Sequence, residues 1–332
     1  ELEYPIPNPE PIAQLLHGLR EDERLGILHT DNGNPSIIAE NLEESEAITK
    51  TLVETLSDGA VLSFGLESAD PSVHEANWLN CDADQLKSAL RLINKYGKER
   101  GERGLPKLLP GLNFIAGLNG ETENTYQMNL DLLHEIRREG LLLRRINIRQ
   151  VEGEGFQDIP QKEFSMFKNN VRETIDGPLL QELFPMGEVL SDVHWETHDG
   201  RTRLAIHQSE EHTAEQCRGK AGITFGRQIG AYPILIGVEY HIPLETQSNV
   251  RVTGHGARSI TGVEINLDHE KMSQKQLESI PGIGEKTAWR LISERAKRKR
   301  KSKQLEAFEH PEDWFKAASV DWNDEFSLYI KS

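Results

Sequence analysis

Two stretches of the 332-residue chain hold residue types at spacings that could do chemistry. The first is Leu277–Ile292, LESIPGIGEKTAWRLI. Its glycines at 282 and 284 allow a tight turn and a close backbone approach to a ligand. The N–H groups opening the next helix would point outward at its positive dipole end, a natural phosphate site. Lys286 and Arg290 on that helix would add phosphate attraction without reading bases. The second stretch is Asn113–Glu121, NFIAGLNGE, which reads as a buried strand ending in a loop. Its glycines would bring the backbone close to a ligand, or simply shape a strand-to-helix turn with Glu121 in the first helical turn. Cys217 with His207 and His212 is a weak candidate zinc set. His255, Arg258 and Ser259 could line a second polar site.

The spacing around Pro281-Gly-Ile-Gly284 looks like a helix-hairpin-helix. Gly282, Ile283, Gly284, Lys286 and Arg290 are its candidate nucleic-acid contacts, and Ile283, Leu291 and Ile292 would pack the two helices. A bare helix–helix packing turn is the alternative. Charge favours the first reading, because Lys271–Lys303 carries eleven Lys and Arg against three Glu, a local +8. The net charge is −16, so the rest of the chain carries −24. Such an acidic body fits a high-salt cytoplasm or an ordinary acidic protein equally well. Any case for RNA or DNA therefore rests on the basic tail.

The elements that must position these residues alternate in the first half. Leu25–His29, Ala60–Phe64, Lys107–Ala116 and Arg145–Val151 read as strands. Glu43–Leu56, Asp84–Tyr96 and Thr122–Arg138 read as helices, with Asp82 or Asp84 as a cap. Repeated strand-then-helix units predict a parallel sheet with ligands at the strands' carboxyl ends. After Gly155 the pattern changes. Phe164–Leu183 reads as a helix. Val189–Glu196, Arg203–His207, Ile223–Val238 and Val250–Asn266 read as a small antiparallel sheet or barrel, with Glu210–Gly219 as a loop. Met272 onward is helical. Trp195, Trp289 and Trp314 read as packing residues and Cys81 as a buried thiol. No apolar run reaches the length of a membrane span, no signal peptide opens the chain, and a cytoplasmic location is expected.

Four segments carry a family resemblance: HTDNGNP (His29–Pro35), FGLESADPSVHEANWLN (Phe64–Asn80), LPKLLPGLNFIAGLNGETENTY (Leu105–Tyr126) and LLLRRINIRQV (Leu141–Val151). In this order they resemble the later strands of a radical S-adenosylmethionine (SAM) enzyme barrel. With FGRQIGAYP (Phe225–Pro233), HGARSITGV (His255–Val263) and the PGIG turn, the chain resembles archaeal radical SAM proteins of unassigned function that end in a helix-hairpin-helix. The family's fifth-strand pattern GxIxGxxxE maps onto Asn113, Ile115, Gly117 and Glu121, with Asn113 in place of the first glycine. The resemblance implies that Ile115 and Gly117 lie near the SAM adenine and that Asn147 to Val151 flank it. It places Glu67 and Ser68 near the ribose or the methionine part. Arg149 and Arg145 could pair with a carboxylate or phosphate, or form structural ion pairs. Asp31 and Asn34 could face the same cavity, or make local turn hydrogen bonds.

The family's cluster motif, C-x-x-x-C-x-x-C, is absent, since the chain has only Cys81 and Cys217. The resemblance implies SAM and a [4Fe–4S] cluster for the whole protein and no metal ligands in these residues. Either the sequence starts between the second and third barrel strands, or a homologue has lost its cluster. The fold expected is an α/β partial (β/α) barrel over 1–155, a helix plus β-rich domain over 156–268, and a helix-hairpin-helix with a tail over 269–332. A barrel cut open exposes a sheet edge, through which a dimer could form. The function expected is part of a radical SAM iron–sulfur enzyme acting on RNA or a nucleic-acid-linked substrate, inactive as this chain alone. The alternative is a nucleic-acid-backbone binder with a structural half-barrel.

Overall fold

A computed structural model of the chain describes residues 4–198, 218–301 and 308–331. They fall into two compact units: residues up to 183 together with 230–232, and residues 184–229 with 233 onward.

The first unit contains α1 (Pro9–Arg20), β1 (Asn32–Gly33), α2 (Pro35–Glu40), α3 (Leu42–Thr55), β2 (Ala60–Glu67), α4 (Pro71–Asn77) and α5 (Ala83–Gly97). It continues with β3 (Leu108–Ala116), α6 (Thr125–Arg138), β4 (Arg145–Gln150), α7 (Gln161–Val171) and α8 (Gly177–Leu183). The strands pair in parallel and in chain order, β1-β2-β3-β4. Every strand-to-strand connection therefore steps the same way along the sheet, as right-handed crossovers do in a singly wound array. The sheet stays open, and no closed parallel barrel forms among the described residues. Helix α5 starts where the sequence predicts: Asp82 accepts from the backbone N–H groups of Asp84 and Gln85, and the Gln85 side chain accepts in return from the Asp82 N–H. That reciprocal cap satisfies three donors at a helix end.

The expected strand at Leu25–His29 does not form. This segment runs as irregular chain, tied by the Ser57 N–H to the Leu28 carbonyl, and only Asn32–Gly33 joins the β2 ladder. Asn34 ends that pairing because its side chain caps α2 and Pro35 follows it. The expected single helix over Phe164–Leu183 is interrupted by a π turn at Arg172–Asp176.

The second unit is built around β5 (Val189–His198), β6 (Ala221–Gln228), β7 (Leu235–Tyr240), β8 (Gln247–His255) and β9 (Ser259–Glu264). They close into a barrel in the order β5-β6-β7-β9-β8. The runs Ile223–Val238 and Val250–Asn266 thus each hold two strands. The expected antiparallel pairing holds except between β7 and β9, which run parallel. Beyond the barrel come β10 (Leu267–Asp268), α9 (Gln274–Ser279), α10 (Glu285–Lys301), α11 (Pro311–Ala317) and β11 (Ile330–Lys331). Leu277, Ile280, Ile283, Leu291, Trp314 and Phe315 form their common core. Trp195 and Trp314 are fully buried as expected, but Trp289 is 60% exposed and is not a packing residue. Arg203–His207, most of Glu210–Gly219, and the His207, His212 and Cys217 set lie outside the described residues. No helix among the described residues is long and apolar enough to cross a membrane.

A buried carboxylate makes the second unit pH-sensitive. Glu264 is 3% exposed and meets Arg218 at 3.3 Å. Burial pushes its pKa above the ordinary 4.5, and the pairing with Arg218 opposes this. The folded chain therefore binds this proton more tightly than the unfolded chain. The stability of the native protein relative to Glu264→Gln should fall as pH rises from about 4.5 through the raised value. Urea titrations of both proteins between pH 4 and 7 check this, and a flat difference would contradict it.

Candidate functional site

Alternation along the parallel strands sorts their side chains onto two faces. Ala60, Leu62, Phe64 and Leu66 of β2 and Leu108, Leu112, Phe114 and Ala116 of β3 belong to the apolar core, with Ile146 and Ile148 of β4 packed against it. The opposite face carries Val61, Ser63, Gly65 and Glu67, then Leu109, Gly111, Asn113 and Ile115, then Arg145, Asn147 and Arg149. A parallel sheet covered on both faces would be apolar on both. Here one face mixes apolar residues with small, polar and charged ones, and the polar and charged ones gather toward the strands' carboxyl ends.

Register aligns this face in rows. Gly65, Asn113 and Asn147 lie side by side, and Ile115 lies beside Arg149. The side-chain amides of Asn113 and Asn147 meet at 3.2 Å. The Asn147 amide also lies 2.7 Å from Arg149 Nε on the same strand. Arg145 lies over the Tyr232 ring, 4.1 Å from the centroid.

Glu67 ends β2 at φ +67, after a bulge between Gly65 and Glu67. Left-handed backbone at a glutamate is a strained conformation that a local constraint must hold. Its carboxylate folds back over Gly65, with Oε1 2.5 Å from where a Gly65 Cβ would stand, so any side chain at 65 would push the carboxylate aside. Oε2 is buried with no protein hydrogen-bond partner. Burial raises the Glu67 pKa, and the charge of Arg149 opposes that rise. The carboxylate lines a cleft of about 330 Å³, whose other walls include Gly33, Asn34, Gly65, Asn80 and Cys81. That volume is in the range of small-ligand sites. Chemically the cleft offers a carboxylate acceptor for hydroxyl or ammonium donors. The Cys81 thiol is pushed up to about 12 by burial, so it stays protonated and is not a nucleophile near neutral pH.

The other expected cofactor residues take different places. Ser68 is 1% exposed; its hydroxyl accepts from the Asp70 N–H, and its carbonyl lies 2.5 Å from His74 Nε2. It organises the loop into α4 and does not line the cleft. Asn34 lines the cleft, but its side-chain oxygen also accepts from the Ser36 and Ile37 N–H groups. Asp31 is exposed beside it.

Glu121 accepts from the Gly117 N–H at 2.8 Å, the Leu118 N–H at 3.2 Å and the Tyr126 hydroxyl at 3.2 Å. Gly117 has φ +93, and a Cβ there would stand 2.4 Å from the Val151 carbonyl oxygen. The GxIxGxxxE-like segment is therefore a closed loop in which Glu121 is the clasp. Gly117 and Val151 are its tight approach, and Ile115 is part-buried on the polar face. Glu121→Ala should destabilise the first unit by about 2 kcal/mol, since two backbone donors lose a charged acceptor. Thermal unfolding checks this, with Glu121→Gln expected to restore much of the loss.

The C-terminal helix pair holds its candidate residues unevenly. Gly282 has φ +90, a conformation that favours glycine. Ile283 is buried against Leu291, as expected. Gly284 and Lys286 are exposed. Arg290 is committed elsewhere: it donates to the Ala318 carbonyl at 3.0 Å and the Ser319 carbonyl at 2.5 Å, capping α11. Arg295 likewise donates to the His269 and Met272 carbonyls. Arg298 lies over the Phe308 ring. Three of the eleven basic residues thus serve packing. In the barrel, His255 Nε2 lies 2.6 Å from the Phe184 carbonyl oxygen, a structural tie.

Sequence reasoning missed Gly65, Asn80 and Cys81 as walls of the cleft. The glycine two residues before Glu67, on the same strand face, was the available signal.

An uncharacterised protein of Archaeoglobus fulgidus is 38% identical over 289 residues, covering 84% of this chain and 50% of that protein. An uncharacterised protein of Methanocaldococcus jannaschii is 37% identical over 271 residues, covering 78% of this chain and 46% of that protein. The chain spans about half the length of the curated relatives it matches. No family model matches it. Among solved structures, coproporphyrinogen III oxidase of Escherichia coli, a radical SAM enzyme, aligns with 82% of this chain and 59% of its own, at 11% identity and a TM-score of 0.33.

Proposed function

We propose that the first unit is the SAM-binding part of a radical SAM-type protein, with Glu67 as its central polar contact. The observation that supports this is the Glu67 carboxylate, held in left-handed backbone over Gly65 with one oxygen buried and unpartnered in a cleft. That acceptor suits the ribose hydroxyls or the ammonium group of an adenosyl amino acid. Ile115 offers apolar surface for a flat base, and Asn147 and Arg149 offer polar groups on the same face. When bound, SAM supplies a sulfonium centre with activated carbon–sulfur bonds. The chain's own residues bind and orient it: Glu67 accepts a proton-bearing group, Asn147 and Arg149 present polar groups beside it, and Glu121 holds the loop shut.

The residues do not fit an iron–sulfur cluster. Cys81 is buried as a thiol, and among the described residues no three His, Cys, Asp or Glu side chains are grouped to hold a metal ion. The iron ligands in this proposal belong to the longer protein of which the relatives are examples. Isothermal titration of the 332-residue chain with SAM tests the reading, with binding expected in the micromolar to millimolar range. Reconstitution with iron and sulfide should give less than one cluster per chain and no SAM cleavage. Absence of SAM binding, or a full cluster with turnover, would refute the assignment.

A second reading concerns the helix pair. The glycine turn opens α10 beside exposed Lys286 and Trp289, which favours contact with a nucleic-acid backbone. Its affinity should fall steeply with salt and with Lys286→Glu.

A further inference from the structure

The barrel strands run β5-β6-β7-β9-β8 around a closed ring, with β7 and β9 parallel and every other neighbouring pair antiparallel. Counted from the first strand, the order is one-two-three-five-four. That is the connectivity of the five-stranded Greek-key barrel that binds oligonucleotides and oligosaccharides. In that barrel the ligand lies on the face of strands two and three and against the loop between strands four and five. Here those strands are β6 and β7, and the loop is Gly256–Arg258.

The face carries suitable residues. Thr224, Gly226 and Gln228 of β6 are buried, so alternation turns Ile223, Phe225 and Arg227 outward. On β7, Ile236, Val238 and Tyr240 are buried, and Leu235, Gly237 and Glu239 face out. Register places Thr197, Phe225, Gly237 and Thr261 in one row across four strands. The part-buried Phe225 ring occupies the space that Gly237 leaves, with Cε1 and Cδ1 3.4 and 3.6 Å from where a Gly237 Cβ would stand. Arg227 follows on the same face, paired with Glu196 at 3.0 Å. In the loop, the Gly256 N–H donates to the Ser259 carbonyl at 2.8 Å, and Arg258 is exposed.

We propose that this face binds single-stranded nucleic acid, with a base stacked on Phe225, Arg227 and Arg258 toward the phosphates, and Thr197 and Thr261 beside the base. An aromatic ring with arginines beyond it is the combination that single-strand binders use, because every base has a π-face. The exposed Lys286 and Trp289 on α10 of the same unit favour nucleic acid over an oligosaccharide. The inference is independent of SAM binding by the first unit.

Fluorescence anisotropy of the 332-residue chain with labelled 12-nucleotide oligo-dT and oligo-U, at 50 and 200 mM salt, tests it. Both strands should bind at 50 mM and weaken at 200 mM, and a duplex of equal length should bind less tightly. Phe225→Leu keeps the apolar contact but removes the π-face, and should weaken binding about 5- to 150-fold. Phe225→Trp should bind as tightly as the native chain. Should Phe225→Leu fail to fold by circular dichroism, Arg227→Gln replaces it, with a weaker salt dependence expected. No binding at 50 mM would overturn the proposal. So would native-like binding by Phe225→Leu, loss on Lys286→Glu alone, or binding of oligosaccharides in place of the single strands.

Discussion

Glu67→Leu is expected to weaken SAM binding by the 332-residue chain about 10- to 150-fold, the range for losing a hydrogen bond to a charged group. Leucine keeps the volume and the apolar stem but removes the acceptor. The change has a built-in control on folding. Glu67 Oε2 has no protein partner, and burial disfavours its charge. Removing that charge should leave the first unit as stable as before or slightly more so. Weaker binding together with unchanged or raised thermal stability is the signature of a ligand contact. Equal binding by Glu67→Leu and the native chain would remove the carboxylate from the site.

The second large effect is structural. Gly97 ends α5 against β3, and an added Cβ would stand 1.9 Å from the Leu108 carbonyl oxygen. That oxygen is backbone in the middle of the core, so no rotamer change relieves the clash. Gly97→Ala should cost about 3 kcal/mol, the upper end for overpacking, even though alanine is the better helix former. The transition of the first unit should drop by about 6–12 °C. Substituting Gly18 of α1 serves as the comparison, since nothing lies within 4 Å of its missing Cβ. Gly18→Ala should raise stability slightly, in line with helix propensity. Similar responses at the two sites would mean that the α5–β3 contact is looser than described.

These cases show which parts of the molecule were legible in the sequence. Strands β2 and β3 were legible as apolar runs with turn residues behind them, and β4 as an alternation of Ile146 and Ile148 with polar residues. The start of α5 was legible because an Asp cap is a local signal. Leu25–His29 misled because its leucines and isoleucine have the composition of a strand, while its partner groups are side chains and single hydrogen bonds rather than a ladder. At the site, Glu67 could be named from its position at a strand end. Its strain over Gly65 could not, because a bulge is a pairing defect visible only in register. Glu121 read as a ligand residue or a turn residue; its bonds to Gly117, Leu118 and Tyr126 make it a clasp. Arg290 looked like a phosphate contact because its true partners, the carbonyls of Ala318 and Ser319, lie nearly thirty residues further on. Phe225 read only as part of the FGRQIGAYP segment, since the β6–β7 register that puts Gly237 beside it is not visible in the sequence.

The open sheet also bears on how copies of the chain behave in concentrated solution. Among the described residues, strand β4 is one of its two outer strands, paired with β3 alone. Unpaired strand edges invite sheet extension between molecules. The polar-face residues of β4 include Arg145 and Arg149, on either side of Asn147. Two copies meeting edge to edge in parallel register would set each arginine against its twin. An antiparallel meeting centred on Asn147 would set Arg145 against Arg149. Both registers bring like charges together, so the arginines that face the ligand side double as gatekeepers against runaway strand addition.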